Sequence, residues 1–312
     1  MADTTIPATA RPRTNWTRWL PVAIPYLWSF IFFLLPFIIV LRISFSNSEL
    51  AMPPFTPVFN IFGDSLAQTF DHFKEFTTDS YARLTSDSLY LRSYLSSVWI
   101  AIIATIATLV IGYPIAYAMA RAPGRWRATL LMLIILPFWT SFLIRIYAWI
   151  GILSNDGFLN NLLLWLHVIK EPLVIMQTNW AVYIGVIYSY LPFMILPLYS
   201  ALEKMDNTLL EAAEDLGSTP LKSFWVITFP LSLPGVIAGC FLVFIPVVGE
   251  FVIPDLLGGS STLMIGHTLW EEFFNNRDWP TASALAIVLL AVLVIPIVLF
   301  QNHQAKSAGS VR

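Results

Sequence analysis

The chain has 312 residues, of which 57% are hydrophobic and 12% charged, with a mean hydropathy of +0.72. A soluble domain carries about 25% charged residues, and a disordered chain lacks apolar surface to bury, so both classes are excluded. Seventeen basic and nineteen acidic residues leave a formal net charge of -2, which excludes the basic field needed for nucleic acid; what remains is a polytopic, all-α membrane protein.

Residues 1–18 form a tail, and the apolar run 19–41 is too long for a cleaved leader and lacks a small-residue cleavage site, so a retained signal anchor is expected. Further runs of about 20 apolar residues occupy 94–120, 128–153, 180–202, 233–254 and 281–300, and a second tail covers 301–312. Six transmembrane helices within 19–300 follow. Arg11, Arg13 and Arg18 precede the first span, Arg121, Arg125 and Arg127 separate the second from the third, and Lys306 and Arg312 follow the last. The positive-inside rule therefore places both termini in the cytoplasm.

The loop between the first two spans carries Glu49, Asp64, Asp71, Glu75, Asp79 and Asp87 and faces outward. The loop between the fourth and fifth spans is cytoplasmic by parity, yet sets Glu203, Asp206, Glu211, Glu214 and Asp215 against Lys204 and Lys222. Its composition asks for a protein partner rather than lipid. Pro36, Pro114, Pro137, Pro192, Pro197, Pro246 and Pro296 fall inside spans, and bent or broken helices are expected there, either as packing kinks or along a transport path.

In the acidic loop, 203–230, local rules predict helix, bend, helix. Thr208 and Glu211 have capping-box spacing, Gly217 suits a left-handed helix end, and Ser218 or Thr219 before Pro220 starts a second helix. The same residues carry a resemblance. Glu211-Ala212-Ala213, then Gly217, then Ile227-Thr228-Phe229-Pro230 is similar to the signature of the membrane permeases of bacterial ABC importers, except that Phe229 replaces a leucine. The resemblance implies a type I importer permease fold in which Glu211, Ala212, Ala213, Gly217, Ile227 and Pro230 form a coupling helix docked on an ATPase. It further implies a second permease subunit, two cytoplasmic ATPase subunits, a periplasmic binding protein and a bacterial inner-membrane location.

No G-x-x-x-x-G-K-[ST] loop occurs, so ATP and its magnesium are expected on the partner ATPase and no cofactor on this chain. The lone Cys240 and the histidines at 72, 167, 267 and 303 lack metal-ligand spacing, and no nucleophile-base pair suggests an enzyme. Three stretches narrow the resemblance: Ile135 to Arg145, Gly249-Glu250-Phe251-Val252-Ile253-Pro254, and Phe273 to Pro280. They resemble the polyamine-uptake branch, with putrescine as the implied substrate.

The outward loops hold twelve acids against six bases, a surface that either guides a cation, serves binding-protein docking or simply stays wet. Arg145 and Glu250 are the ionisable residues inside spans, at similar depth if both helices are straight, roughly 25 Å from their inner ends. Two readings stay open: a mutual salt bridge fixing helix packing, or a Glu250 that receives a substrate ammonium. Trp139, Tyr147, Trp270 and Trp279 could offer cation-π faces along the path or belong to the interfacial aromatic belt, and Asp278 stands beside them. The same architecture importing spermidine, another organic cation, iron or an oxyanion is the nearest rival. An ion-coupled carrier would show inverted repeats and several intramembrane acids, and this chain shows neither.

Overall fold

The computed structural model describes residues 20–59, 72, 74–260 and 262–309; the N-terminal tail, Asp64, Asp71 and Arg312 lie outside them. Helix α1, Pro21–Ile43, contains a π-helical turn at Phe30–Leu34, and residues 21–36 are all exposed. A short antiparallel ribbon, β1 Asn47–Ser48 and β2 Phe55–Thr56, follows. Helix α2, Asp79–Ser86, leads into α3, Ser88–Arg121, whose start is capped by Asp87 accepting from the Leu89 amide at 2.8 Å. Then come α4 Gly124–Trp139, α5 Phe142–Leu153, α6 Phe158–Trp165 and α7 Asn179–Glu203. The short α8, Thr208–Asp215, precedes α9, Pro220–Val248. The short α10, Val252–Leu257, and α11, Ile265–Trp270, fold back before α12, Trp279–Gly309.

Helices α1, α3, α7 and α9 are long and apolar enough to cross a membrane, and the bent pair α4 with α5–α6 makes a fifth. The sixth expected span falls on α12, whose apolar part is Trp279–Ile295. Helices α3, α7 and α9 form the core, and small residues let them approach. A Cβ on Gly239 would stand 2.7 Å from Met194 Sδ and 3.2 Å from the Met194 carbonyl, so α9 lies directly on the α7 backbone there. Around this contact Val186, Ile195, Leu198 and Val243 are fully buried.

Two spans depart from expectation. The third is not one helix: α4 ends in a 3-10 turn, Leu136–Trp139, Thr140 is extended, and the following helical pair turns away by 89°. Pro137 sits at the start of that turn and lacks an amide for a continuing ladder. The fifth helix stops at Val248 instead of 254, and Glu250 lies in the break before α10. The straight-helix depths for Arg145 and Glu250 therefore do not hold. Pro114, Pro192, Pro197 and Pro246, by contrast, remain inside continuous helices.

The outer half of α3 is fastened to the returning segment by polar bonds. Tyr94 donates to the Leu285 carbonyl at 2.6 Å, Ser97 Oγ accepts from the Ile265 amide at 2.7 Å, and Thr268 donates to Ser93 at 3.1 Å. In a medium without water each such group needs a protein partner.

Candidate functional site

The acidic loop between α7 and α9 folds as two short helical arms around Gly217. Gly217 takes φ +75°, its amide donates to the Glu214 carbonyl at 2.8 Å, and the Ser218 amide donates to Ala213 at 2.9 Å. This is a Schellman end to α8, and the left-handed φ is what glycine supplies without strain. Thr219 then caps the second arm, its hydroxyl accepting from the Lys222 amide at 3.4 Å, and Ser223 donates to Ser218 at 3.0 Å to tie the arms together. The expected capping box does not form, because Thr208 is already inside the helix. Asp206 takes its place by accepting from the Thr208 amide at 3.0 Å, and that bond, with one from the Thr208 hydroxyl, holds its carboxyl below the usual range.

Ala213 faces inward and is buried, whereas Glu211, Ala212 and Gly217 are exposed. Leu216 and Leu221 flank the bend at 89% and 71% exposure, an apolar tip that water disfavours. Ile227 lies in a π-helical turn, Phe224–Thr228, and Pro230 opens the regular part of α9. Phe229 is accounted for here: its ring lies 6.1 Å from Tyr113 and 5.3 Å from Trp225, within an aromatic root that includes Phe224. Tyr113 also shares a 2.8 Å hydrogen bond with Ser232. The basic loop adds a brace, since Arg121 donates to Asn207 and Arg127 pairs with Glu203 at 3.3 Å while donating to the Ala122 carbonyl at 2.9 Å.

Glu250 is 7% exposed, and both its oxygens are engaged. Tyr190 of α7 donates to Oε2 at 2.5 Å, and the amides of Val252 and Ile253 donate to Oε1 at 3.0 and 3.4 Å. The carboxylate thus caps α10 and clasps it to α7. Arg145 forms no ion pair with it. The Arg145 guanidinium instead lies 5.0 Å from the Phe138 ring and 5.7 Å from Phe142. An aromatic row still joins the two charges: Phe138 meets Phe193 edge-on at 5.3 Å, and Phe193 lies 6.0 Å from Tyr190. Tyr190 and Phe193 were not among the expected site residues; the signal for Tyr190 was a phenol inside one span while another span had an acid to satisfy.

The remaining path candidates separate into two groups. Trp139 and Tyr147 are 75% and 57% exposed. Trp270 stacks on Phe251 at 4.9 Å, and Trp279 on Phe273 at 5.0 Å. Asp278, offered by the sequence as a cation-guiding acid, is committed elsewhere: it pairs with Arg83 at 2.6 Å and accepts from the Thr281 amide at 3.1 Å to start α12. Glu272 likewise accepts from Tyr90 at 3.0 Å, while Asp255 and Glu271 flank His267 at 3.4 and 3.9 Å. All four acids of the 255–280 segment thus have partners within that segment or on α2 and α3.

The chain is 49% identical over 225 residues to the spermidine/putrescine transport system permease protein PotB of Escherichia coli (strain K12), covering 72% of this chain and 82% of that protein. It is 40% identical over 278 residues to PotB of Haemophilus influenzae (strain ATCC 51907 / DSM 11121 / KW20 / Rd), covering 88% and 91%. Among solved structures, a bacterial alginate ABC transporter in complex with an alginate pentasaccharide-bound periplasmic protein matches with a TM-score of 0.67 at 16% identity, over 94% of this chain and 95% of that one. At that identity the likeness shows the fold, a type I ABC importer permease. Residues 112–308 match the family described as binding-protein-dependent transport system inner membrane component, and the chain belongs to that family as a multi-pass permease subunit of the inner membrane.

Proposed function

We propose that this chain is one permease of an ATP-driven polyamine importer, taking spermidine, putrescine or both. The observation that carries the coupling half is the Gly217 knuckle: a rigid bend, rooted on α3 and α9, presents Leu216 and Leu221 beside Glu211 and Ala212. An exposed apolar tip on a braced cytoplasmic loop suits a groove on a separate ATPase subunit, which would bind the ATP and magnesium. The substrate half is supported by the printed names of the Escherichia coli and Haemophilus influenzae relatives, which pair spermidine with putrescine. The proposal therefore takes the wider class rather than putrescine alone.

A second permease and two ATPase subunits complete the assembly, with a periplasmic binding protein delivering substrate to the outer face. The alginate transporter's title includes such a periplasmic protein. Within this chain, exposed Trp139 supplies a cation-π face for alkylammonium groups. Glu250 contributes by fixing α10 against α7. The test is uptake of labelled putrescine, with spermidine as competitor, by membrane vesicles holding this chain and its co-expressed partners. Uptake that requires both ATP and the ATPase supports the proposal, and uptake that persists without the ATPase refutes it.

A further inference from the structure

Beyond the third-span break, one side of α5 is uncovered. Ile144 and Tyr147 are 65% and 57% exposed, Ala148 and Gly151 are exposed beside them, and nothing stands within 4 Å of a Cβ built on Gly151. At about 100° per residue these four positions share one arc, with small side chains on it of the kind that lets membrane helices approach closely. Arg145 sits at the edge of this arc. Its Nε is buried without a hydrogen-bond acceptor, and no described carboxylate lies within salt-bridge distance of its guanidinium.

We propose that this arc is the seat of a transmembrane helix from a second, non-identical permease chain, and that a carboxylate on that helix pairs with Arg145. The inference rests on the permease assembly proposed above and identifies how one member of it is recognised. A guanidinium inside a membrane segment is costly unless paired, and the two phenylalanine faces beside it offer no acceptor. The spanning helices of a second copy of this chain offer no carboxylate along their length. Helices α1, α3, α4, α5, α6, α9 and α12 carry no Asp or Glu and α7 has one only at its end, Glu203, while Glu250, in the break after α9, is spent on Tyr190 and two backbone amides at 7% exposure. The acid must come from a different sequence. Charge pairing of this kind selects partners as much as it strengthens them, since a wrong chain would bury Arg145 unpaired.

The experiment uses the full complex, co-expressed, with recovery of the second permease normalised to the membrane abundance of this chain. Arg145→Glu should lower that recovery at least ~tenfold, the size expected when one partner of a buried charge pair is reversed. Arg replacement of one intramembrane carboxylate on the second permease should then restore at least half of it. Gly151→Leu, which fills the arc without touching charge, should also lower recovery. Unchanged recovery in Arg145→Glu overturns the inference, and so does a loss that no partner reversal restores, the pattern expected if a lipid phosphate were the counter-charge. Failure of the unaltered chain to recover any second permease would instead refute the assembly itself.

Discussion

Tyr190 donates its hydroxyl to Glu250 at 2.5 Å across the contact between α7 and the start of α10. The bond ties α10, which a continuous fifth span would have kept as part of α9, to α7, and it explains how a carboxylate is tolerated at 7% exposure. Three donors hold it, so its charge is spread over partners rather than left facing lipid.

That arrangement sets apart two substitutions at one position. In Glu250→Gln the amide oxygen can still accept from the Val252 and Ile253 amides, and the amide nitrogen can donate to Tyr190. Glu250→Ala leaves the Tyr190 hydroxyl and both amides unpaired, a loss of about 1–3 kcal/mol for each buried group left without a partner. Thermal unfolding of the purified complex should therefore drop clearly for Ala and little for Gln, with uptake following stability. A stable Gln variant that lost uptake would return the charge to a direct role with substrate.

Gly239 presses on Met194, and a side chain there has no room. Gly239→Ala should cost about 1–3 kcal/mol through overpacking of α9 against α7, seen as a lower melting temperature. Melting equal to the unaltered protein would show that the two helices are not held at this distance.

Asp278 is assigned to Arg83 and to the first turn of α12. Asp278→Asn should lower stability while leaving the substrate concentration for half-maximal uptake unchanged. A severalfold rise in that concentration at unchanged stability would instead make Asp278 a cation guide.

The brace between Arg127 and Glu203 is partly exposed on both sides. Arg127→Ala should change stability by less than about 1 kcal/mol, as exposed ion pairs do. A larger loss in unfolding measurements would mean that the brace carries more of the cytoplasmic face than its exposure suggests.

Much of this fold is legible in the sequence, because apolar run length and helix-end chemistry are local. The helical bend at Gly217 follows from glycine's freedom at positive φ, and Thr219 before Pro220 caps as its residue type predicts. The capping box at Thr208 and Glu211 fails because the helix starts one residue earlier than that spacing needs: Thr208 is already inside it, its amide bonded by Asp206 and the Glu211 amide by the Asn207 carbonyl. Proline alone does not say which span breaks: Pro137 ends a helix, while Pro192 and Pro197 are absorbed by the packed core around them. The partners of Glu250 and Arg145 depend on helix breaks and on contacts between distant segments. A straight-helix estimate put the two charges at one depth, whereas Phe138, Phe193 and Tyr190 stand between them. The basic loop was legible as a topology signal but not as the brace that Arg121 and Arg127 make with Asn207 and Glu203.

The central claim is that motion of a partner ATPase enters this chain through the Gly217 bend. Nothing stands within 4 Å of a Cβ built at Gly217, so a substitution there acts through φ +75° alone. Valine resists that conformation, at a cost of about 1–2 kcal/mol, and asparagine visits it readily. The decisive measurement is substrate imported per ATP hydrolysed, in proteoliposomes holding the assembled complex, for Gly217→Val and Gly217→Asn. The account predicts a ratio reduced at least ~tenfold for Val, from a bend displaced by that strain, and a near-normal ratio for Asn, with both complexes assembled. An unaltered ratio for Val would contradict it.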